Sequence, residues 1–312
     1  RIPRPLGFVV TDPAGRAPSG VPGAAAANPA FTAGAFTAAD GYPLQFRHYP
    51  AAPGPIDCAL VCIHGIQSHA GWYDRSCAYW AARGASVYFL NRRGSGDSQV
   101  ARGDAASPEQ LAGDLLLALA EVRRREPGKP VVLMGISWGG KVAVPALADH
   151  PDSADGLVFV APGWFPKVSP SLRIKLAIGW SALLWPKRRL PTPLSDPRLF
   201  TVNPEKIEFL RQDPHSLRRA TARLLFISAR LDRLLPGAAG KLRQPSLLVL
   251  ADEDRIIHNG RTRDYFHRLG APDATVKLLP GHHTLEFEPD PVPYFNLVAD
   301  WLAKRFPSAM NA

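Results

Sequence analysis

Cysteine is scarce in this 312-residue chain. The three present, Cys58, Cys62 and Cys77, are odd in number and lack CxxC spacing. Two lie in a strand-like apolar run, where cysteine serves as a small hydrophobe, so neither a disulfide framework nor a zinc site is expected. No apolar run reaches the roughly 18 residues needed to cross a bilayer. The longest candidate, Ile174 to Trp185, is too short. A Walker sequence, an HExxH pair and a GxGxxG after a strand are all missing; Gly94-Ser95-Gly96 lacks the third glycine of a phosphate cradle. Nor is there a GXY period or any other fixed repeat: the 32 prolines are spread between apolar runs, which excludes collagen and wholesale disorder. No apolar stretch follows Arg1, so no targeting segment is read there, and one preceding it is left open. The expected setting is the cytoplasm, with association to a membrane surface.

What is present suits one sizeable core with a small inserted lid: 46% of residues are hydrophobic and 21% charged. The formal net charge of +10 is unevenly spread. Residues 162–244 hold 16 Lys and Arg against 5 Asp and Glu, which is more than the whole excess. A basic insertion on a neutral body points to anionic lipid surfaces or anionic substrates, and no nucleic-acid partner is expected. Within it, Ile174 to Trp185 carries two tryptophans and is flanked by Arg173 and by Lys187-Arg188-Arg189. Such a segment can rest on a lipid interface or pack as a helix against the body.

Residues 1–33 are rich in Pro, Gly and Ala and are expected to form an extended arm. A β-hairpin is expected around Asp40-Gly41. Beyond it, strand-length apolar runs at 59–63, 86–90, 131–136, 157–160, 247–250 and 276–279 alternate with helix-length segments at 71–83, 108–125, 138–150, 260–269 and 291–306. Runs of that kind are strands buried on both faces, so an α/β fold follows, with a mostly parallel sheet covered by helices on both sides. The rhythm breaks once. Residues 162–244 are far longer than an ordinary connection and read as an insertion with its own helices between core segments 34–161 and 245–306, with a tail at 307–312.

The run Val131 to Met134 leads into Gly135-Ile136-Ser137-Trp138-Gly139-Gly140, a GxSxG after a buried strand and before a helix. Strand before and helix after make it a nucleophile elbow, whose tight turn exposes the Ser137 hydroxyl. A serine is too weakly acidic to attack an acyl carbon unaided, so a histidine must take its proton and an acid must orient that histidine. Asp252, Glu253 and Asp254 end one later strand, and His282 and His283 end the next, both at carboxyl ends where active sites of open α/β sheets lie. An oxyanion needs N–H donors from the residue after the nucleophile and from an earlier strand's loop. The backbone amides of Trp138 and Ile66 are the candidates.

Several motifs together resemble the monoglyceride lipase and lysophospholipase group of α/β-hydrolases, within the serine aminopeptidase S33 family. His64-Gly65-Ile66-Gln67-Ser68-His69-Ala70-Gly71-Trp72-Tyr73 is similar to that group's HGxGxHSGRY, and Asn91 to Ser98 to its DxRGxGxS. The elbow, ADEDRII at 251–257 and HHTLEFE at 282–288 complete the resemblance, which spans roughly residues 34–306. It implies the α/β-hydrolase fold, selects Asp254 and His283 as acid and base, and makes 162–244 the cap. It further implies a serine hydrolase that cleaves monoacylglycerol-like or lysophospholipid-like esters through an acyl-enzyme, with no cofactor. Gln67, Ser68 and Trp138 depart from the group's pattern and bear on the acyl and alcohol pockets; Gln67, Trp180 and Trp185 are the pocket candidates. Acyl transfer, thioester or amide cleavage by the same triad, and a binding protein on the same scaffold, are the rival readings.

Overall fold

The computed structural model describes residues 31–309. Residues 310–312 of the expected tail and residues 1–30 of the expected arm lie outside the described residues. The hairpin forms where the sequence places it: β1 (Thr32–Thr37) pairs antiparallel with β2 (Pro43–Tyr49), Phe36 opposite Leu44. Gly41 in the turn takes φ 78°, which a side chain would resist. Because β1 begins at Thr32, the core starts slightly earlier than residue 34. At the other end Pro307 forms a β-bridge with Ile56.

The remaining elements alternate. In chain order they are β3 (Cys58–Ile63), α1 (Asp74–Ala81), β4 (Ala85–Leu90), α2 (Pro108–Arg125), β5 (Val131–Ile136), α3 (Trp138–Asp149) and β6 (Gly156–Val160). A second stretch holds α4 (Leu172–Leu184), β7 (Arg189–Pro191), α5 (Pro204–Gln212), β8 (Arg219–Thr221) and α6 (Ala222–Leu234). The chain then returns through β9 (Ser246–Ala251), α7 (Asn259–Arg268), β10 (Ala274–Leu279) and α8 (Val292–Arg305). α2 begins with Ser107 accepting from the Gln110 amide and Pro108 in the first turn, and ends on Arg123-Arg124-Arg125, each end matched to the helix dipole.

The main sheet runs β1-β2-β4-β3-β5-β6-β9-β10, parallel from β4 onward and antiparallel at the hairpin. Every residue of β3, β4, β5, β6 and β9 is buried, as strands covered on both faces must be. β10 departs from that expectation. As the edge strand it is half exposed, with Lys277 and Leu278 outside. Strand order reverses at β3, between β4 and β5, so the loops after β3 and β5 open a crevice at the carboxyl ends of the strands.

Between β6 and β9 the chain leaves the sheet. α4, α5 and α6 and the two-stranded ribbon of β7 and β8 form a separate layer above those carboxyl ends, with Leu217, Leu224, Ile227 and Leu231 joined to the main core. Among the described residues no helix is long and apolar enough to cross a membrane.

Candidate active site

Three loops meet under this layer. Ser137 is the residue between β5 and α3 and holds φ 51° and ψ −121°, a conformation costing on the order of 1–3 kcal/mol for a residue with a Cβ. The glycines around it permit the turn. A Cβ on Gly135 would stand 2.9 Å from Gly140 Cα, and one on Gly140 would stand 2.7 Å from Pro162 Cβ. The Ser137 amide donates to Val160 and its carbonyl accepts from Gly140 and Gly163, so the strained backbone is fixed from both sides.

His283 follows β10, and its Nε2 lies 2.8 Å from Ser137 Oγ. Its Nδ1 lies 2.7 Å from Asp254 Oδ2, in the loop after β9. The other carboxylate oxygen of Asp254 accepts the amides of Ile256 (2.7 Å) and Ile257 (3.0 Å). Burial works against the charge on Asp254, but the His283 ring beside it and those two amides hold its carboxyl below the usual range. The neighbours face elsewhere. Asp252 accepts from the Gly281 amide, Glu253 lies 3.5 Å from His282, and His282 is held by Glu288.

The loop after β3 brings Ile66 to the same crevice, and a Cβ on Gly65 would come within 3.2 Å of Ser137 Cβ. Trp138 is the first residue of α3, where an N–H has no intrahelical acceptor and is open to a ligand. The indole of Trp138 donates to Ser228 on α6 at 2.9 Å. His64 braces this loop from within: Nδ1 lies 2.7 Å from the Gly65 carbonyl, and Nε2 accepts from the Arg92 amide at 3.3 Å. Burial, and then the charge of Arg92, push its pKa well down, so the ring is neutral, as that acceptor role requires. Asp213, after α5, accepts from His69 Nε2 (3.1 Å) and Trp72 Nε1 (2.8 Å) and so ties the upper layer to the same loop. Burial opposes the Asp213 charge, but these donors hold its pKa down to about 2.

Ser137, Ile66 and Trp138 border a cavity of about 1220 Å³ whose wall is mainly apolar, with Val168, Ile178, Leu194 and Leu225 among its lining residues. That volume is sufficient for a long acyl chain. Trp180 of α4 lines it, but the other two pocket candidates do not. Gln67 is buried with its amide on Thr192 Oγ1, binding the loop to the ribbon instead of facing the cavity. Trp185 lies past the end of α4 and is 60% exposed. One residue that the sequence did not single out does reach the wall: Lys141, a helical turn beyond Ser137, buried and 2.6 Å from Asp232 of α6. Its place among small and apolar helix residues offered no signal. Among the described residues no group of three His, Cys, Asp or Glu side chains is placed to hold a metal ion.

Such a sheet with a serine at the β5 elbow defines an α/β-hydrolase of the serine hydrolase class. The family model described as serine aminopeptidase, S33, matches residues 54–290, and the chain belongs to that family. Among curated relatives, a monoacylglycerol lipase of Mycolicibacterium smegmatis is 27% identical over 78% of this chain and 87% of its own length. The human monoglyceride lipase is 26% identical over 88% of this chain and 91% of its own. Among solved structures, a soluble variant of the Saccharomyces cerevisiae monoglyceride lipase, in complex with a substrate analogue, superposes with TM-score 0.78 at 18% identity, over 91% of this chain and 98% of that one. The monoacylglycerol lipase of Paleococcus ferrophilus gives 0.73 at 22% identity, over 84% and 98%.

Proposed function

We propose that this serine hydrolase cleaves carboxylic esters of lipids, monoacylglycerols before lysophospholipids, through an acyl-enzyme on Ser137. The observation that carries the reading is the contact of Ser137 Oγ with His283 Nε2 at the edge of a large apolar cavity. Ser137 Oγ attacks the ester carbonyl while His283 Nε2 takes its proton and Asp254 stabilises the resulting imidazolium. The carbonyl electron pair moves onto oxygen, where the amides of Ile66 and Trp138 receive it. Collapse expels the alcohol, protonated by His283, and leaves the acyl group on Ser137. Water then repeats the sequence in reverse and frees the acid.

Asp232 is the one carboxylate among the described residues lining the cavity, and Lys141 already holds it. A peptide's α-ammonium would find no unpaired carboxylate there, which favours an ester over an aminopeptidase substrate. The names of the curated relatives point the same way. Residues 162–244 act as the cap. On α4, Leu172 (72% exposed), Leu176, Trp180 (63%) and Leu183 (73%) border the open cavity beside the exposed Arg173, Lys187 and Arg188, an apolar mouth with a basic rim suited to an anionic membrane surface. The cytoplasm is the proposed setting, and three buried free cysteines are compatible with it.

A fluorophosphonate probe should label wild-type protein at Ser137, and an ester series with glycerol and choline-phosphate leaving groups should favour long-chain monoacylglycerol. Absence of labelling would leave a binding protein on a hydrolase scaffold. Labelling with faster turnover of thioesters, amides or acyl acceptors other than water would replace the substrate class and keep the triad.

A further inference from the structure

Two arginines follow β4, and they are anchored differently. Arg93 lays its fork on Asp114, with both bonds at 2.8 Å, and on Asp40, an ordinary fixing of a loop by carboxylates. Arg92 is equally buried, yet among the described residues no carboxylate pairs with it. Its Nε has no hydrogen-bond partner. Its Nη2 donates to the Ile66 carbonyl and its Nη1 to the Arg93 carbonyl at 3.4 Å. The guanidinium carbon sits 5.0 Å from the centre of a Trp138 ring. Burial pulls its pKa down to about 9, so the group is still a cation at neutral pH.

A charge withdrawn from water without a counterion is unfavourable unless some state of the molecule supplies one. Besides the carbonyl of its neighbour Arg93, this cation touches Ile66 and Trp138, whose amides face the developing oxyanion in the reading above. The negative charge absent from the resting site therefore arrives with the tetrahedral intermediate. We propose that Arg92 is a positioning residue of the oxyanion site. Its bond to the Ile66 carbonyl and its stack on the Trp138 indole fix both donors, and its unpaired charge favours the state in which the substrate oxygen is negative. This inference rests on Ser137 being the nucleophile, and it goes beyond that assignment to a residue outside the triad.

The test compares Arg92→Met and Arg92→Lys with wild type, using a soluble short-chain ester and an alkyl trifluoromethyl ketone. Addition of Ser137 Oγ to that ketone moves the serine proton to His283 and the carbonyl pair onto oxygen, giving a stable hemiketal oxyanion. Loss of an oxyanion donor costs about 10²- to 10³-fold in kcat, and a residue that only positions the donors should cost less. Arg92→Met should lose about tenfold to a hundredfold in kcat with KM little changed, lose ketone affinity by a similar factor, and keep or raise its Tm. Arg92→Lys should recover most of both losses. A folded Arg92→Met within threefold of wild-type kcat, or one that loses kcat while binding the ketone as tightly as before, overturns the proposal. If Arg92→Met does not fold, Arg92→Lys decides: a hundredfold loss of kcat with unchanged ketone affinity overturns it, and parallel, modest changes support it. Failure of the wild type to bind the ketone at Ser137 would instead overturn the nucleophile assignment.

Discussion

Where Ser137, His283 and Asp254 meet, the histidine and the acid are buried and every member of the chain is hydrogen-bonded to the next. On α4, which borders the same cavity, Leu172, Trp180 and Leu183 remain largely exposed. The floor is a polar network withdrawn from solvent, stable because its donors and acceptors are matched. The roof is apolar surface left open where α4 borders the cavity, as ligand-binding grooves and interaction surfaces are. Burial thus differs between the two: below it encloses the hydrogen-bonded Ser137, His283 and Asp254, and above it leaves the apolar side chains of α4 exposed.

The largest effects should come from breaking the floor. Ser137→Ala should remain folded and lose about 10⁴ to 10⁶ in kcat, the scale of a lost triad nucleophile. His283→Ala should lose as much. His282→Ala should lose far less, since its ring is held by Glu288 and turned from Ser137. Steady-state kinetics with circular dichroism as a folding control decide this, and equal losses at the two histidines would refute the assignment.

Next comes Asp254→Asn, with up to about 10⁴ lost in kcat, because an amide favours the wrong tautomer of His283. Asp252→Asn should be mild, its partner being the Gly281 amide. Stability gives a second readout. The folded pKa of Asp254 lies below its unfolded value, so its contribution is present above the unfolded pKa and is lost as pH falls through the folded one. Asp254→Asn should therefore flatten the acid limb of a Tm profile, and an unchanged limb would refute the pairing.

Most of the floor was legible in sequence because its constraints are local. GxSxG between a buried run and a helix specifies a turn, and the ends of β9 and β10 place Asp254 and His283 within reach. Choosing Asp254 over Asp252, and His283 over His282, needed the family resemblance. Spacing alone leaves both pairs at strand ends. The roof was less legible. Whether α4 is buried or bare depends on how residues 162–244 lie on the sheet, a long-range matter that periodicity does not report. Gln67 was misplaced for the same reason, since its partner Thr192 is remote in sequence. Arg92 and Lys141 carried no warning either: a charged residue in a loop or helix reads as solvated until packing closes over it.

The roof is tested by vesicles. Each basic side chain at an anionic surface contributes about 1 kcal/mol, so binding should be stronger to anionic than to zwitterionic lipid and should weaken with salt. A variant carrying Trp180→Ala, Trp185→Ala, Lys187→Glu and Arg188→Glu should bind at least about tenfold more weakly. It should still turn over a soluble short ester. Indifference of the wild type to vesicle charge would return α4 to the status of solvated surface.

The smallest expected effect concerns the one carboxylate on the floor that breaks its pattern. Glu286 is buried three residues after His283, accepts the Ser76 amide at 3.2 Å through Oε1, and leaves Oε2 without a partner. Burial raises its pKa to about 7. Its folded pKa is therefore above the unfolded one, so stability is full below about pH 4.3 and declines as pH rises towards 7, where the folded form also ionises. The loss is bounded at up to about 4 kcal/mol, at about 1.4 kcal/mol per pKa unit. Glu286→Gln removes the ionisation while keeping an acceptor for Ser76. Its Tm relative to wild type should accordingly be higher at pH 8 than at pH 5, with kcat on a soluble ester little changed at either pH. A difference in Tm that is the same at both pH values would mean that Glu286 titrates as an ordinary solvated acid, and that its burial does not couple stability to pH.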